Sequence, residues 1–427
     1  MAKEEGLMEK IVSLCKRRGF VYQGSEIYGG LAGTWDYGPL GTTLKKNIER
    51  LWWSKFVESR EDMFALDSSI IMPEKVWEAS GHLEGFSDPM VECSNCKGRF
   101  RADHVEDPNV CPICGKKGTL GEAKQFNLML PVQMGATEGA STGYLRGEIA
   151  QGMFVNFKNV IDSFHPKLPF GIAQSGKAFR NEIAPRDFLF RVREFDLMEF
   201  EYFVREPEWE QWFEYWRKEM WSWMDSIGIK KKSVHELEVG DGDRAHYSKR
   251  TIDFEFDFPF GRKELYGLAY RTDYDLSRHM EKSGVDMQYG EEGEEKFVPH
   301  VIEPTFGLGR TVLAVLTSAY TEDEIGGEKR TYLKLNAAVA PIKAAIFPLL
   351  KNKPELVAKA REVFAMIKKD IPQIAWDDNG NIGKRYRRQD EIGTPFCITI
   401  DFDTLENQSV TVRHRDTGEQ ERVEIEE

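Results

Sequence analysis

Four cysteines have a spacing that implies chemistry on its own. Cys93, Cys96, Cys111 and Cys114 read C-x2-C-x14-C-x2-C. Each Cys-x-x-Cys turn presents two thiolates at the separation of adjacent corners of a tetrahedron, the arrangement that holds Zn2+. Two disulfides are the competing reading, and a reducing compartment disfavours them. Four thiolates leave no open position for water, so such a metal is structural rather than catalytic. Cys15 and Cys397 stand alone in apolar surroundings and read as buried thiols, not nucleophiles.

Two further constellations mix charge with aromatic or glycine residues. On a period-two strand Arg180 and Glu182 share a face, and on a partner strand Phe195, Leu197, Glu199 and Glu201 share another. Arg186, Arg191 and Arg193 lie in or beside the segment between them. An arginine fork neutralises phosphate, a phenylalanine stacks on a base, and a carboxylate accepts from an exocyclic amine or binds an ammonium. An ion-paired surface hairpin is the plain alternative. The run Glu303-Pro-Thr-Phe-Gly-Leu-Gly-Arg310 turns through glycines into a helix whose exposed N–H groups, with Arg310, would attract an anion. It is not a P-loop, since no G-K-[ST] follows, and a strand-turn-helix joint reads it equally well.

Hydrophobic spacing predicts the elements that must position these residues. Helices are expected over 7–18, 42–58 (capped by Thr42 or Thr43, striped by Leu44, Ile48, Leu51 and Trp52), 152–164 and 207–226. The tryptophans of the last, Trp209, Trp212, Trp216, Trp221 and Trp223, suit core packing better than base stacking. A strand is expected over 66–72, ended by Pro73. An antiparallel pair is expected within 173–204, and a hairpin from 252–260 to 264–271 turned by Gly261–Lys263. Residues 279–296 read as a solvated loop, 298–303 as a short strand ending before Pro304, and 321–330 as a linker. Beyond it a helix at 354–369 and runs such as PFCITIDF and SVTVRHR form a small α/β unit.

The 427 residues, 41% hydrophobic and 30% charged, fit a globular chain of two or three domains. No run approaches the roughly 18 apolar residues of a membrane span, and MAKEEGLMEK lacks a signal peptide's apolar stretch, so a cytoplasmic protein is expected. A net charge of −13 excludes nucleic-acid binding through a broad basic surface. Local patches remain open. Residues 331–427 carry 15 basic and 16 acidic side chains, and Lys384-Arg385-Tyr386-Arg387-Arg388 lies within them. That patch could contact phosphate and stack a base, or be a solvated basic turn.

Together the segments resemble the three motifs of class II aminoacyl-tRNA synthetases. Helix 42–58 with strand 66–72 is similar to the first, Phe179-Arg-Asn-Glu182 through Arg193-Glu-Phe195 to the second, and Glu303 to Arg310 to the third. Within that class SEIYGGLAGTWDYGPLG, WEASGHLEGFSDPM, FRADH, FRNEIAPRDFLFRVREFDLMEFEYF, IEPTFGLGR and GKRYRRQDEIGTPFCITIDFDT resemble the homodimeric glycyl-tRNA synthetases over nearly the whole chain. The resemblance implies an α+β fold. A catalytic domain over 1–330, an antiparallel sheet flanked by helices, would carry a zinc-binding insertion at 88–125 and a mainly helical insertion at 205–250. An α/β anticodon-binding domain would occupy 331–427. It further implies a ligase that joins glycine to tRNA-Gly through glycyl-adenylate for protein synthesis. ATP with Mg2+ and a structural Zn2+ would serve a homodimer with no membrane partner.

Carried over by residue, the resemblance names Arg180, Glu182 and Arg310 as catalytic. Arg180 takes the α-phosphate and the substrate carboxylate, Glu182 the adenine amine, Phe195 the ring face and Arg310 the distal phosphates. Asn181, Phe190, Arg191, Val192, Arg193, Glu194, Leu265, Gly307, Leu308 and Gly309 complete the ATP site, and Glu264 helps hold ATP and its Mg2+. Glu148, Glu199 and Glu303 gather round the glycine ammonium, with Arg101 near the substrate and Thr305 as a wall. Phe195, Asp196, Leu197, Met198, Pro304, Phe306 and Gly307 lie alongside. Cys93, Cys96, Cys111 and Cys114 hold zinc, and Lys384, Arg385, Arg387 and Arg388 meet tRNA. Glycine offers no side chain to grip, so affinity comes from its charges and selectivity from lack of space. Three positions depart from the family's wording: Gly147 and Ile149 in Arg146-Gly-Glu-Ile-Ala-Gln-Gly152, where Arg-Pro-Glu-Thr-Ala-Gln-Gly is usual, and Thr305, where serine is. Rival readings are a synthetase for alanine or serine, and a non-catalytic nucleic-acid binder, which would be expected to lose Arg180, Arg193 and Arg310.

Overall fold

The computed structural model describes residues 6–135 and 141–425. Its centre is a seven-stranded sheet in the order Val234–Glu238, Arg250–Phe258, Gly261–Thr272, His300–Gly307, Glu194–Val204, Phe170–Phe179 and Met63–Ala65. Neighbours are antiparallel except the last pair. Period-two alternation gives each strand two faces. Along Glu194–Val204, Met198, Phe200, Tyr202 and Val204 enter a core covered by helices Pro39–Trp53, Trp209–Ser226 and Leu308–Ala319. Trp52, Phe56, Phe200, Trp216 and Phe306 pack there ring on ring, with centroids 4.6–6.2 Å apart. Leu197 and Phe203 face the other way, toward helix Ala150–Phe164. That second face also carries Glu199 and Glu201, which buries carboxylates against the sheet.

The helix 152–164, the antiparallel pair within 173–204 and the tryptophan helix stand close to where the sequence puts them. Trp216 and Trp223 are fully buried, and Trp209 stacks on Tyr270 at 4.1 Å. Other expectations need correction. The helix expected from 42 begins at Pro39, whose fixed φ suits the first helical position. Thr42 and Thr43 do not cap it; their hydroxyls bond back to the carbonyls of Tyr37 and Pro39. The strand expected over 66–72 is two short pieces, Met63–Ala65 and Ile71–Pro73, with Pro73 inside the second. The turn at the hairpin is Pro259-Phe260; Gly261 already pairs with Phe258, at φ +125. Helix Tyr274–Ser283 takes up the first residues of the expected 279–296 loop.

The strand expected to stop at Glu303 runs on through Pro304 to Gly307 in the middle of the sheet. The ladder accommodates the missing N–H. Strand Glu194–Val204 pairs Leu197–Glu199 with Gly307–Thr305, then resumes at Tyr202 with Ile302, skipping the positions opposite Pro304. Residues 321–330 are not a linker but a hairpin, Tyr320–Ile325 with Glu328–Leu333, turned by Gly326 and Gly327 at positive φ. Its Arg330 reaches across to Asp390, which also holds Arg413, so the hairpin is clamped to the C-terminal unit by a buried charge cluster.

That unit is a five-stranded sheet in the order Ile374–Trp376, Ala344–Pro348, Phe396–Ile400, Ser409–His414, Gln420–Glu424, flanked by helices Pro354–Asp370 and Ile382–Ile392. The cysteine unit is a three-stranded sheet, Ser87–Glu92 between Arg99–Arg101 and Lys124–Asn127. Among the described residues no helix is long and apolar enough to cross a membrane.

Candidate active site

The carboxylate-bearing face of the central sheet forms the floor of a cavity of about 530 Å³. One end is cationic. Arg180 follows strand Phe170–Phe179, its backbone N–H donating to Arg193 O at 2.9 Å. Its guanidinium lies 5.1 Å from the Phe195 ring and 5.0 Å from Phe86, and Nε donates to Gly147 O at 3.1 Å. Glu182 Oε2 and Arg191 Nη1 are both buried without a hydrogen-bond partner, 3.9 Å apart. Buried polar atoms left this way mark where a ligand's own polar groups belong. The loop between them is pinned by Phe188 on Trp35 at 4.7 Å, with Asp187 and Phe188 in the strained left-handed region. Arg310, at the start of helix Leu308–Ala319, sits 4.3 Å from the Phe190 ring and 3.1 Å from the Glu264 carboxylate. Partial desolvation in the cavity wall pushes the half-exposed Glu264 carboxyl up, but Arg310, with Arg180 and Arg191, outweighs it and holds the group below its usual value.

The other end is acidic and enclosed. Glu148 precedes helix Ala150–Phe164 and accepts from Gln151 Nε2 at 2.9 Å, with His82 Nε2 at 3.1 Å. Burial raises its pKa, yet His82, Arg271 and Gln151 together hold it well below the carboxylate range. Glu199 Oε1 accepts from Thr305 Oγ1 at 2.6 Å, and Glu303 Oε1 accepts from Arg271 Nη1 at 2.7 Å. Burial, followed by the neighbouring carboxylates, pushes the Glu199 carboxyl well above its usual value. Burial does the same to Glu303, less strongly, because Arg271 is against it. Arg271 is itself fully buried, forked onto Asp275 at 2.8 and 2.9 Å and covered by the Tyr247 ring at 3.7 Å.

Residues 137–319 match the family described as tRNA synthetase class II core domain (G, H, P, S and T), and 343–427 match the anticodon binding domain. A glycine–tRNA ligase of Clostridium acetobutylicum is 49% identical over 456 residues, covering all of this chain and 98% of its own. One from Streptomyces coelicolor is 49% identical over 98% of this chain and 96% of its own. The chain belongs to the glycine–tRNA ligase family. A solved Giardia lamblia prolyl-tRNA synthetase in complex with prolyl-adenylate shares the fold at a TM-score of 0.72 and 17% identity, covering all of this chain and 75% of that one. The class II core with its antiparallel sheet and the C-terminal anticodon-binding domain are therefore as the sequence implied.

The cavity wall holds most of the site residues the sequence singled out. It collects Arg101, Glu148, Arg180, Glu182, Phe190, Arg191, Val192, Phe195, Asp196, Leu197, Glu199, Glu264, Leu265, Glu303, Thr305, Gly307, Gly309 and Arg310. Seven others lie off it. Met198, Phe306 and Leu308 are packed in the helical core on the far face, and Pro304 is buried in its strand. Glu194 pairs with Lys177 across the hairpin. Arg193 donates to the carbonyls of Ala32 and Glu182, and the Asn181 N–H donates to Leu128 O. Sequence reasoning missed His82, Gln151, Tyr247, Arg271 and Asp275. For Arg271 a signal was there. In strand Gly261–Thr272, Tyr266, Leu268 and Tyr270 fill the helical core, while the alternate positions read Gly267, Ala269, Arg271. A strand with one bulky face and two small residues before a charge describes a pocket floor.

The four cysteine sulfurs lie together, Cys93 to Cys114 at 3.8 Å and Cys96 to Cys111 at 3.6 Å. Sulfurs about 2.3 Å from a tetrahedral Zn2+ are about 3.8 Å apart, so the quartet fits that ion as it stands. Cys15 and Cys397 are buried and pushed up to about 12 by that burial, inert as nucleophiles. Along helix Ile382–Ile392 the basic patch divides. Lys384 is exposed and, with Arg387, Arg388 and Arg18, lines a second concavity. Arg385 does not belong to that surface. It is buried and donates to the carbonyls of Pro348, Asp378 and Gly380, fastening the helix to its domain. Nor is Tyr386 free to stack a base, since its ring lies against Phe347 and Arg413 and its hydroxyl meets Thr399.

Proposed function

We propose that the cavity activates glycine with ATP and passes it to tRNA-Gly. One observation carries this reading: a single cavity has partnerless buried groups for a nucleotide at one end and a carboxylate set for an ammonium at the other. The glycine carboxylate oxygen attacks the α-phosphorus, the bond to the β-phosphate oxygen breaks, and pyrophosphate leaves. The 3′-terminal ribose hydroxyl of the tRNA then attacks the carbonyl carbon, losing its proton, and AMP departs.

Arg180 would take the α-phosphate and the glycine carboxylate, and its clamp between Phe86 and Phe195 supports this by holding the guanidinium in place before the substrates arrive. Glu182 and Arg191 would take the adenine edge, Phe195 its face and Arg310 the distal phosphates. Glu264 is the carboxylate that would hold Mg2+, which supplies charge neutralisation on the phosphates. Glu148, Glu199 and Glu303 receive the ammonium, and Thr305, fixed by its bond to Glu199, closes the space beyond it. A methyl group would have to displace that wall, which makes selectivity steric. Zn2+ held by Cys93, Cys96, Cys111 and Cys114 would be structural. Lys384, Arg387 and Arg388 would contact tRNA phosphate, a homodimer would be the working unit, and the cytoplasm its compartment.

Amino-acid-dependent ATP–pyrophosphate exchange with glycine, alanine and serine tests the reading. Exchange with glycine alone is expected, showing that Gly147, Ile149 and Thr305 are tolerated. Silence with all three in a folded, zinc-loaded protein would leave a nucleic-acid binder without catalysis.

A further inference from the structure

Glu201 has no part in the scheme above. It shares the phase of Glu199 on strand Glu194–Val204, is fully buried, and lies behind the cavity wall rather than in it. Neither of its oxygens has a hydrogen-bond partner, and Glu199 Oε2 has none either. One oxygen each from Glu199, Glu201 and Glu303 lies within 4.8 Å of the other two. The charged groups around Glu201 are Glu303 on the neighbouring strand His300–Gly307, Arg271 on strand Gly261–Thr272 beyond it, Glu199 on its own strand, and Asp275 on helix Tyr274–Ser283. Arg271 is the lone cation among them, and its donors already serve Asp275 and Glu303. The buried Arg146 also acts on Glu199 through its charge, but its donors go to Lys177 O and to Ser68. Glu199 and Glu201 are thus two enclosed carboxyls with three partnerless oxygens, and among the described residues no cation hydrogen-bonds to either. Both ionised, they would be two like charges in a low dielectric, which proteins avoid by keeping one proton between them.

We infer that Glu199 and Glu201 share a single proton, held on Glu201 when the amino-acid ammonium is bound. Glu201 is then a positioning residue: its hydroxyl donates to the inner oxygen of Glu199 and leaves the outer one for the substrate. This rests on the ammonium pocket proposed above. Burial and the Glu303 charge push Glu201 the same way, well above its ordinary value.

Infrared spectroscopy of the full-length protein near neutral pH is the direct test. It should show the carbonyl stretch of a buried protonated carboxyl, shifted in D2O and missing from Glu201→Gln. Glu201→Gln keeps a donor at that place, so its KM for glycine in the exchange assay should stay within about threefold of wild type. Glu201→Leu removes the donor and should raise that KM about tenfold, with the KM for ATP unmoved. Thermal stability adds a sign. A carboxyl whose folded pKa is raised loses stability as pH climbs through the window above its ordinary value, and glutamine does not. The advantage of Glu201→Gln over wild type should therefore widen from about pH 5 to about pH 8. Absence of the infrared band, or glutamine and leucine raising the glycine KM equally, would overturn the inference. A wild-type protein without glycine exchange would defeat the functional reading instead, since the infrared and stability results need no activity.

Discussion

At the arginine end of the cavity, Arg180 and Arg310 rest on aromatic rings and backbone carbonyls, Arg310 also meets the half-exposed Glu264, and Arg191 lies 3.9 Å from Glu182 without a hydrogen bond. At the carboxylate end, Glu148, Glu199 and Glu303 are set into a closed network whose members, Arg271, Asp275, Gln151 and His82, are themselves buried. The first is a site whose ligand completes it. The second is a site built into the core, so its function and the fold's stability draw on the same side chains. Substitutions at the two ends should therefore fail differently: kinetically at one, structurally at the other.

The largest expected effect comes from Arg271→Met. It strands Asp275 and Glu303 as uncompensated buried charges, and should cost about 3–5 kcal/mol in urea unfolding. Retained stability would show that the network is held by something other than that guanidinium. Arg180→Ala is its counterpart at the other end. Unfolding should be nearly unchanged, because the bond its guanidinium makes is to a backbone carbonyl, while exchange falls about 10²–10³-fold. A variant exchanging at near wild-type rate would remove Arg180 from the chemistry.

The cysteine unit is where the two behaviours meet. The Cys93–Cys96 turn joins strands Ser87–Glu92 and Arg99–Arg101, which carry Asp88 and Arg101 into the cavity as a 2.8 Å ion pair. Cys93→Ser should release zinc by elemental analysis, lose ordered structure around 88–125 and raise the KM for glycine several-fold. Unchanged metal content would count against the four-thiolate site.

This contrast also explains what was legible in the sequence. Charged residues such as Arg180, Glu199 and Arg310 stand out because each belongs to a short local pattern: the end of one strand, the alternation of the next, and a glycine turn into a helix. The cysteine quartet is visible for the same reason. His82, Gln151 and Asp275 are invisible because what joins them to the site is long-range: His82 meets Glu148, and Gln151 meets Asp275, some 65 to 125 residues away along the chain. Pro304 misled because a rule about central strands met a ladder that skips the position opposite it. The 321–330 run reads as a linker by composition, yet Arg330 needs Asp390 to make it a clamp, and no local pattern announces that. The fold was thus legible wherever periodicity set it, and the site wherever one segment supplied it.

Acidification should separate the carboxylates. Glu148 has a depressed folded pKa, so its contribution is full above the ordinary glutamate value and drains away as pH falls below it. Glu148→Gln should therefore be destabilised by about 2 kcal/mol near neutrality, with the gap to wild type closing below about pH 4 in thermal unfolding. A gap that persists into acid would mean Glu148 acts by packing rather than charge.

The smallest effect, and the one that tests where the two ends join, is Gly267→Ala. Gly267 lies on the cavity floor beside Thr305 in the ladder, at a φ that any residue adopts. A Cβ there would meet no protein atom within 4 Å, so stability should stay within about 0.5 kcal/mol of wild type. The methyl group would instead occupy space between the arginine and carboxylate ends, where the bond between glycine and the α-phosphate must form. A several-fold rise in KM for both substrates is expected, with unfolding unmoved. A rise for one substrate alone would assign Gly267 to that end, and no rise for either would mean that the reacting atoms meet elsewhere in the cavity.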